Sequence, residues 1–141
     1  MPMNIFQSVR NLDLPVNDYV VVGGGLLVAL NLLEWDEDVD LTVNREIFNL
    51  FTKDGWRQDK WGDKIVLKKS IYDVGLNFGE WSLEDLRYDA VIIQGIPFIN
   101  PHKLIEWKSN TARPKDLIHI SLLRDYLQNK NITDIPADSP S

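Results

Sequence analysis

The sequence predicts an α/β (α+β) protein, a small mixed sheet flanked by helices. Three observations predict it. Tyr19 to Val22 is a β-branched apolar run closed by glycines, the pattern of a buried strand turning into a helix. From Asp38 the residues alternate, with Asp38, Asp40 and Thr42 on one side and Val39, Leu41 and Val43 on the other, which is the period of a strand. Toward the C-terminus, Leu117, Ile120, Leu123 and Leu127 recur at helical spacing.

The elements follow in order. Ile5, Phe6, Val9 and Leu12 give a first helix within residues 4–12, covering one face of the sheet. Asp13 to Asp18 is a connector marked by Pro15. After the Tyr19 strand, Gly23, Gly24 and Gly25 form a turn with no Cβ to keep a ligand from the backbone. They open a helix over Leu26 to Leu33, whose unpaired N–H groups suit phosphate. Asn44 reads as the cap of a helix over Arg45 to Lys53, with Ile47, Leu50 and Phe51 as its stripe and Gly55 as its stop. Trp56 to Lys69 reads as a hairpin turning in Asp59 to Asp63.

Ile71 to Phe78 is the next strand, with Asp73 and its minor companion Asn77 on the face away from Tyr72 and Val74. Ser82 to Asp85 approximates a capping box for a short helix ending near Tyr88. Ala90 to Gln94 and Ile96 to Ile99 are extended about Gly95. Asn100-Pro101 starts a helix that Ser109 to Thr111 interrupts, and Arg113 to Asp116 opens the last one. One domain is expected over residues 1–132, with a polar, disordered tail over 133–141.

Composition narrows the function classes. A length of 141 residues allows one domain with a proper core. With no cysteine, disulfides and thiolate metal sites are excluded. His102 and His119 are the only histidines, too few for a His-rich zinc site. A net charge of −6 argues against general nucleic-acid binding, although Lys60, Lys64, Lys68 and Lys69 form a local basic cluster. No run is long enough to span a membrane and no signal peptide is seen, so a cytoplasmic location is expected.

Two carboxylates on one strand face repel unless a cation sits between them, and hard ions such as Mg²⁺ take oxygen ligands of this kind. The rival dinucleotide fingerprint fails, because its third glycine position is Val28. Separately, a glycine turn and an Asp-Val-Asp segment also fit an ordinary loop and a solvated strand edge.

In order and spacing, Val22-Gly23-Gly24 followed by Asp38-Val39-Asp40-Leu41 resembles the nucleotidyltransferase superfamily with the DNA polymerase β-like fold. Lys108, Arg113, Lys115 and Asp116 resemble the C-terminal pattern of small bacterial nucleotidyltransferases of the abortive-infection, toxin–antitoxin type. The resemblance covers residues 19–127.

It implies a Mg²⁺-dependent, two-ion enzyme that moves a nucleoside monophosphate from a nucleoside triphosphate, such as ATP, to a hydroxyl on protein, an RNA end or a small molecule. Asp38, Asp40 and Asp73 would be the catalytic metal ligands, Asp73 also helping to deprotonate the acceptor. Gly23 and Gly24 would cradle phosphates, with Lys108, then Arg113 and Lys115, as cationic contacts. Each of these cations also fits an ordinary helix surface. Asp116 fits a helix cap or a partner of Arg113, and His119 a structural role. The five tryptophans fit core and interface positions better than a base-stacking platform, though Trp35 and Trp81 lie close to the acids in sequence, where a partly exposed Trp could stack on a nucleobase.

Two positions depart from the family. Gly25 replaces a common Ser, removing a hydroxyl near the phosphates, and His119 replaces a late Asp. The alternative is a partner-binding module of the same fold with little turnover, an antitoxin-like subunit that sequesters a helical toxin-like protein.

Overall fold

A computed structural model describes residues 4–138. The chain divides into two compact units, one ending at Asn100 and the other beginning at Pro101. The architecture is mixed α+β, with six α-helices and a seven-stranded sheet among the described residues.

In the first unit, α1 spans Ile5–Arg10 and begins at Asn4, whose Oδ1 accepts the Gln7 N–H at 2.9 Å. A 3₁₀ turn, Val16–Asp18, leads into the wholly buried β1, Tyr19–Val22. The helix after the glycines, α2, spans only Gly25–Ala29 rather than reaching Leu33. Asn31 takes the left-handed conformation (φ 66°), and Leu32 N–H closes on the Leu27 carbonyl at 2.8 Å. That is a Schellman-type stop, with Asn in the glycine role.

Strand β2 spans Val39–Val43 and helix α3 spans Arg45–Lys53. Asn44 caps α3 as expected, accepting from Ile47 N–H at 2.9 Å. The buried stripe of α3 is Ile47, Phe48 and Phe51, while the expected Leu50 is 53% exposed. Phe51 stacks flat on Trp56, ring centres 4.2 Å apart, and this contact sets the rotation that turns Leu50 outward.

The hairpin expected over Trp56 to Lys69 consists of β3, Arg57–Trp61, and β4, Lys64–Lys69. They turn through Gly62 (φ 67°) and Asp63. The next strand, β5, covers only Tyr72–Gly75, not Ile71 to Phe78. The chain bends at Leu76, and Asn77–Phe78 becomes β6, paired with β7, Trp81–Ser82, in a separate ribbon. Ser82 and Asp85 make both bonds of a capping box and open α4, Leu83–Tyr88. β8, Val91–Ile93, and β9, Ile96–Phe98, form a hairpin through left-handed Gln94 and Gly95.

The sheet order is β3-β4-β5-β2-β1-β9-β8. β1 runs antiparallel to β2 and parallel to β9, and β2 runs parallel to β5. Register partners share a face, so Val21, Leu41 and Val74 line one side. Helix α1 packs there: the Tyr72 hydroxyl donates to the Ser8 carbonyl at 2.7 Å. Gly25 is required by the same packing, since a Cβ at that position would lie 2.9 Å from both Ile5 Cδ1 and Val21 Cγ1. Asp40, Thr42 and Asp73 lie on the opposite face.

The second unit contains α5, Pro101–Thr111, and α6, Pro114–Asp138, packed on each other. Helix α5 continues through the expected interruption at Ser109 to Thr111, and the break falls at Ala112 (φ 48°). The part of the expected tail over residues 133–138 belongs to α6, and its last three residues lie outside the described residues. No helix among the described residues is long and apolar enough to cross a membrane.

Candidate active site

The site begins with a register. In parallel β2 and β5, Asp40 is the direct partner of Asp73. The Val39 N–H donates to the Ile71 carbonyl at 2.9 Å, which helps fix that register. Asp38 precedes β2 and is exposed. Its loop is tied by the Trp35 indole N–H, which donates to the Asp38 carbonyl at 3.1 Å. The structure therefore sets Asp40 and Asp73 side by side on one face of the sheet, with Asp38 at the strand entrance, near enough for its charge to act on Asp40.

Crowding has an electrostatic consequence. The Asp40 carboxyl is pushed up to about 7, first by burial, then by the charges of Asp73 and Asp38, together with a hydrogen bond to Asp73. Lys68 opposes the rise. Its ammonium lies 3.1 Å from Asp73 Oδ1, both side chains about a quarter exposed at 24% and 25%. Lys68 is itself the register partner of Asp73 on β4. In the sequence Lys68 is one of a local cluster of lysines, and its pairing with Asp73 depends on strand register.

The glycines meet the acids directly. Gly23 has φ 69°, and a Cβ there would lie 2.9 Å from Asp40 Oδ2. Only glycine meets both requirements. Gly24 has open space around its Cβ position, and α2 begins on it with no side-chain cap. Helix α2 is thus a single short turn whose first N–H groups are left to acceptors other than a cap.

The resemblance implies a divalent cation among these residues. The donors are all carboxylate oxygens, and the like-charge crowding on Asp40 is what a hard cation relieves. Asp40 and Asp73 fit such an ion, with Asp38 beside them. Among the described residues, no group of three His, Cys, Asp or Glu is already gathered in a metal-holding arrangement.

Trp35 also lines an open cavity of about 490 Å³ with Phe6, Val28 and Leu32. Trp81 is half-buried in the β6–β7 ribbon.

In the second unit, Lys108 and Asp116 are buried, at 3% and 0% exposure, and pair at 3.1 Å. Asp116 also accepts from the Thr111 hydroxyl at 2.6 Å, from Arg113 Nε at 2.7 Å and from the Arg113 backbone N–H at 3.2 Å. Of the two readings of Asp116, helix cap and Arg113 partner, both hold. These bonds, chiefly that from Arg113, keep its carboxyl well below the usual range. Burial pulls the Lys108 ammonium below its ordinary value, and Asp116 opposes this. Trp107 lies beneath both cations, 5.8 Å from Lys108 Nζ and 5.6 Å from Arg113 Cζ. Lys115 is exposed. The Nδ1 of His119 is buried with no hydrogen-bond partner among the described residues, and burial lowers its pKa, in keeping with a structural role.

Compared with protein-family models, curated proteins and solved structures, the chain matches none.

Proposed function

We propose that the chain is a nucleotidyltransferase of the polymerase β-like type, transferring a nucleoside monophosphate from a nucleoside triphosphate to an acceptor hydroxyl. One observation carries the reading: Asp40 and Asp73 are register partners, and Gly23 lies against the Asp40 carboxylate. A resting fold gains nothing from two adjacent carboxylates, whereas a cation-dependent phosphoryl site needs them.

In this reading the acceptor oxygen forms a bond to the α-phosphorus, the bond to the β-phosphate bridging oxygen breaks, and pyrophosphate leaves. A divalent ion, when bound, supplies charge neutralisation for the triphosphate and lowers the pKa of the acceptor hydroxyl. Asp38, Asp40 and Asp73 would hold it, and Asp73 would also accept the hydroxyl proton. The backbone of Gly23 and Gly24 supplies N–H donors at a turn free of side chains. Lys68 limits the repulsion between the acids while the cation is absent.

The test is calorimetric binding of each of the four ribonucleoside triphosphates with Mg²⁺, wild type against Asp40→Asn/Asp73→Asn, followed by pyrophosphate release with candidate acceptors. Metal-dependent binding lost in the double variant supports the reading. Equal binding in both, or none in either, sinks it. In that case the partner-binding alternative is tested by pull-down, where the double variant should behave as wild type.

A further inference from the structure

The sheet carries one transverse row of register partners across five strands: Arg57 on β3, Lys68 on β4, Asp73 on β5, Asp40 on β2 and Val22 on β1. Two cations thus run into two acids along one line of one face. Lys68 stands at the junction. Its ammonium contacts Asp73 Oδ1 at 3.1 Å and also lies 5.5 Å from the centre of the Trp61 ring. Trp61 is 57% exposed, at the turn end of the same hairpin. The ammonium therefore has two partners, a carboxylate on one side and an aromatic face on the other.

We propose that Lys68 is a tethered cation of the carboxylate site, held on Asp73 in the free protein and displaced toward the Trp61 ring when a divalent ion takes Asp73. The inference rests on the reading of Asp40 and Asp73 as cation ligands and adds a positioning residue to it. Ammonium and metal ion compete for the one Asp73 carboxylate. An ion taken up there weakens the Lys68–Asp73 contact and leaves two positive charges close together. Lys68 thereby weakens binding of a free ion. A nucleotide-bound ion brings negative phosphate with it, which offsets that repulsion, so Lys68 favours the metal–nucleotide complex over the bare metal.

The experiment measures Mn²⁺ binding to the full chain by electron paramagnetic resonance, without nucleotide. It compares wild type, Lys68→Met, Lys68→Gln and Asp40→Asn. The Met and Gln variants both keep a stem over Trp61, so either can stand in if the other folds poorly; thermal unfolding checks this. Removing the ammonium should tighten Mn²⁺ binding by about tenfold or more, since one close like charge is removed from a partly buried site. The gain should be much smaller with nucleotide present. Unchanged or weaker binding in both Lys68 variants, with Asp40→Asn abolishing binding, overturns the role of Lys68 and leaves the carboxylate site standing. Absence of Asp40-dependent Mn²⁺ binding in wild type and both Lys68 variants overturns the carboxylate site itself, and the role of Lys68 with it.

Discussion

Asp40 and Asp73 are direct partners across a parallel strand pair. Neighbouring strands lie only about 4.8 Å apart, so register partners on one face bring two acids side by side. Burial first, and then the charges of Asp73 and Asp38, raise the Asp40 carboxyl to about 7 even with Lys68 nearby. An Asn at either position would remove one of the two charges, so folding stability alone does not favour the acid pair.

That cost is measurable. An acid whose folded pKa is about 7, against an unfolded value near 3.8, binds its proton more readily when folded. Its contribution to stability is therefore most favourable below pH 3.8 and is lost as pH rises toward about 7. In chelator, Asp40→Asn should stabilise the protein by about 2 kcal/mol at pH 8 and by little at pH 4. Thermal unfolding of both proteins across this range checks it. A variant equally stable or less stable at pH 8 would show that the acids do not burden each other.

The two glycines should respond differently. Gly23→Ala places a Cβ in left-handed backbone and 2.9 Å from Asp40 Oδ2. It should destabilise by about 1–3 kcal/mol and abolish metal-dependent nucleotide binding. Gly24→Ala meets no atom within 4 Å and has φ −67°. Its stability should stay within about 0.5 kcal/mol of wild type. Chemical denaturation of both variants separates the cases, and equal losses would contradict the geometry.

Local signals were legible in the sequence, and long-range register was not. Asn44 and the Ser82/Asp85 box marked their helices because capping is chemistry between residues three apart. Asp38 and Asp40 were legible as a pair because alternation fixes which residues of one strand share a face. That Asp73 directly opposes Asp40 depends on β5 pairing with β2, and that Lys68 meets Asp73 depends on β4 pairing with β5. No local pattern encodes either. The early end of α2 did carry a signal in Asn31, but Leu32 and Leu33 continued the helical pattern beyond it. Lys108 read as a phosphate contact or a surface cation, and not as a buried ion-pair member, because burial of a lysine follows from its partner, and Asp116 lies in the next helix.

Thr42 offers a test of the acid face away from the acids. It is fully buried on that face, and its Oγ1 has no hydrogen-bond partner among the described residues. Thr42→Val removes the unpaired hydroxyl and keeps the shape. The variant should be more stable by about 1 kcal/mol, because an unsatisfied buried polar group carries its desolvation cost without return. Denaturant midpoints decide, and a loss greater than about 1 kcal/mol would show that the hydroxyl has a partner in solution.

The second unit makes the opposite prediction to Asp40. Asp116 is fully buried and accepts from Lys108, Thr111 and Arg113, so its carboxylate is stabilised in the folded chain and its pKa is depressed. Its contribution is complete above the unfolded value of 3.8 and is lost as pH falls below that toward the lower folded value. At pH 7, Asp116→Asn leaves the buried Lys108 ammonium without its counter-charge, and the loss should be about 3–5 kcal/mol. Lys108→Met should cost less, because Asp116 keeps Arg113 and Thr111. The order Asp116→Asn, then Lys108→Met, in equilibrium unfolding is the outcome to check. The reverse order would place the ion pair's importance on the lysine and return Lys108 to consideration as a phosphate contact.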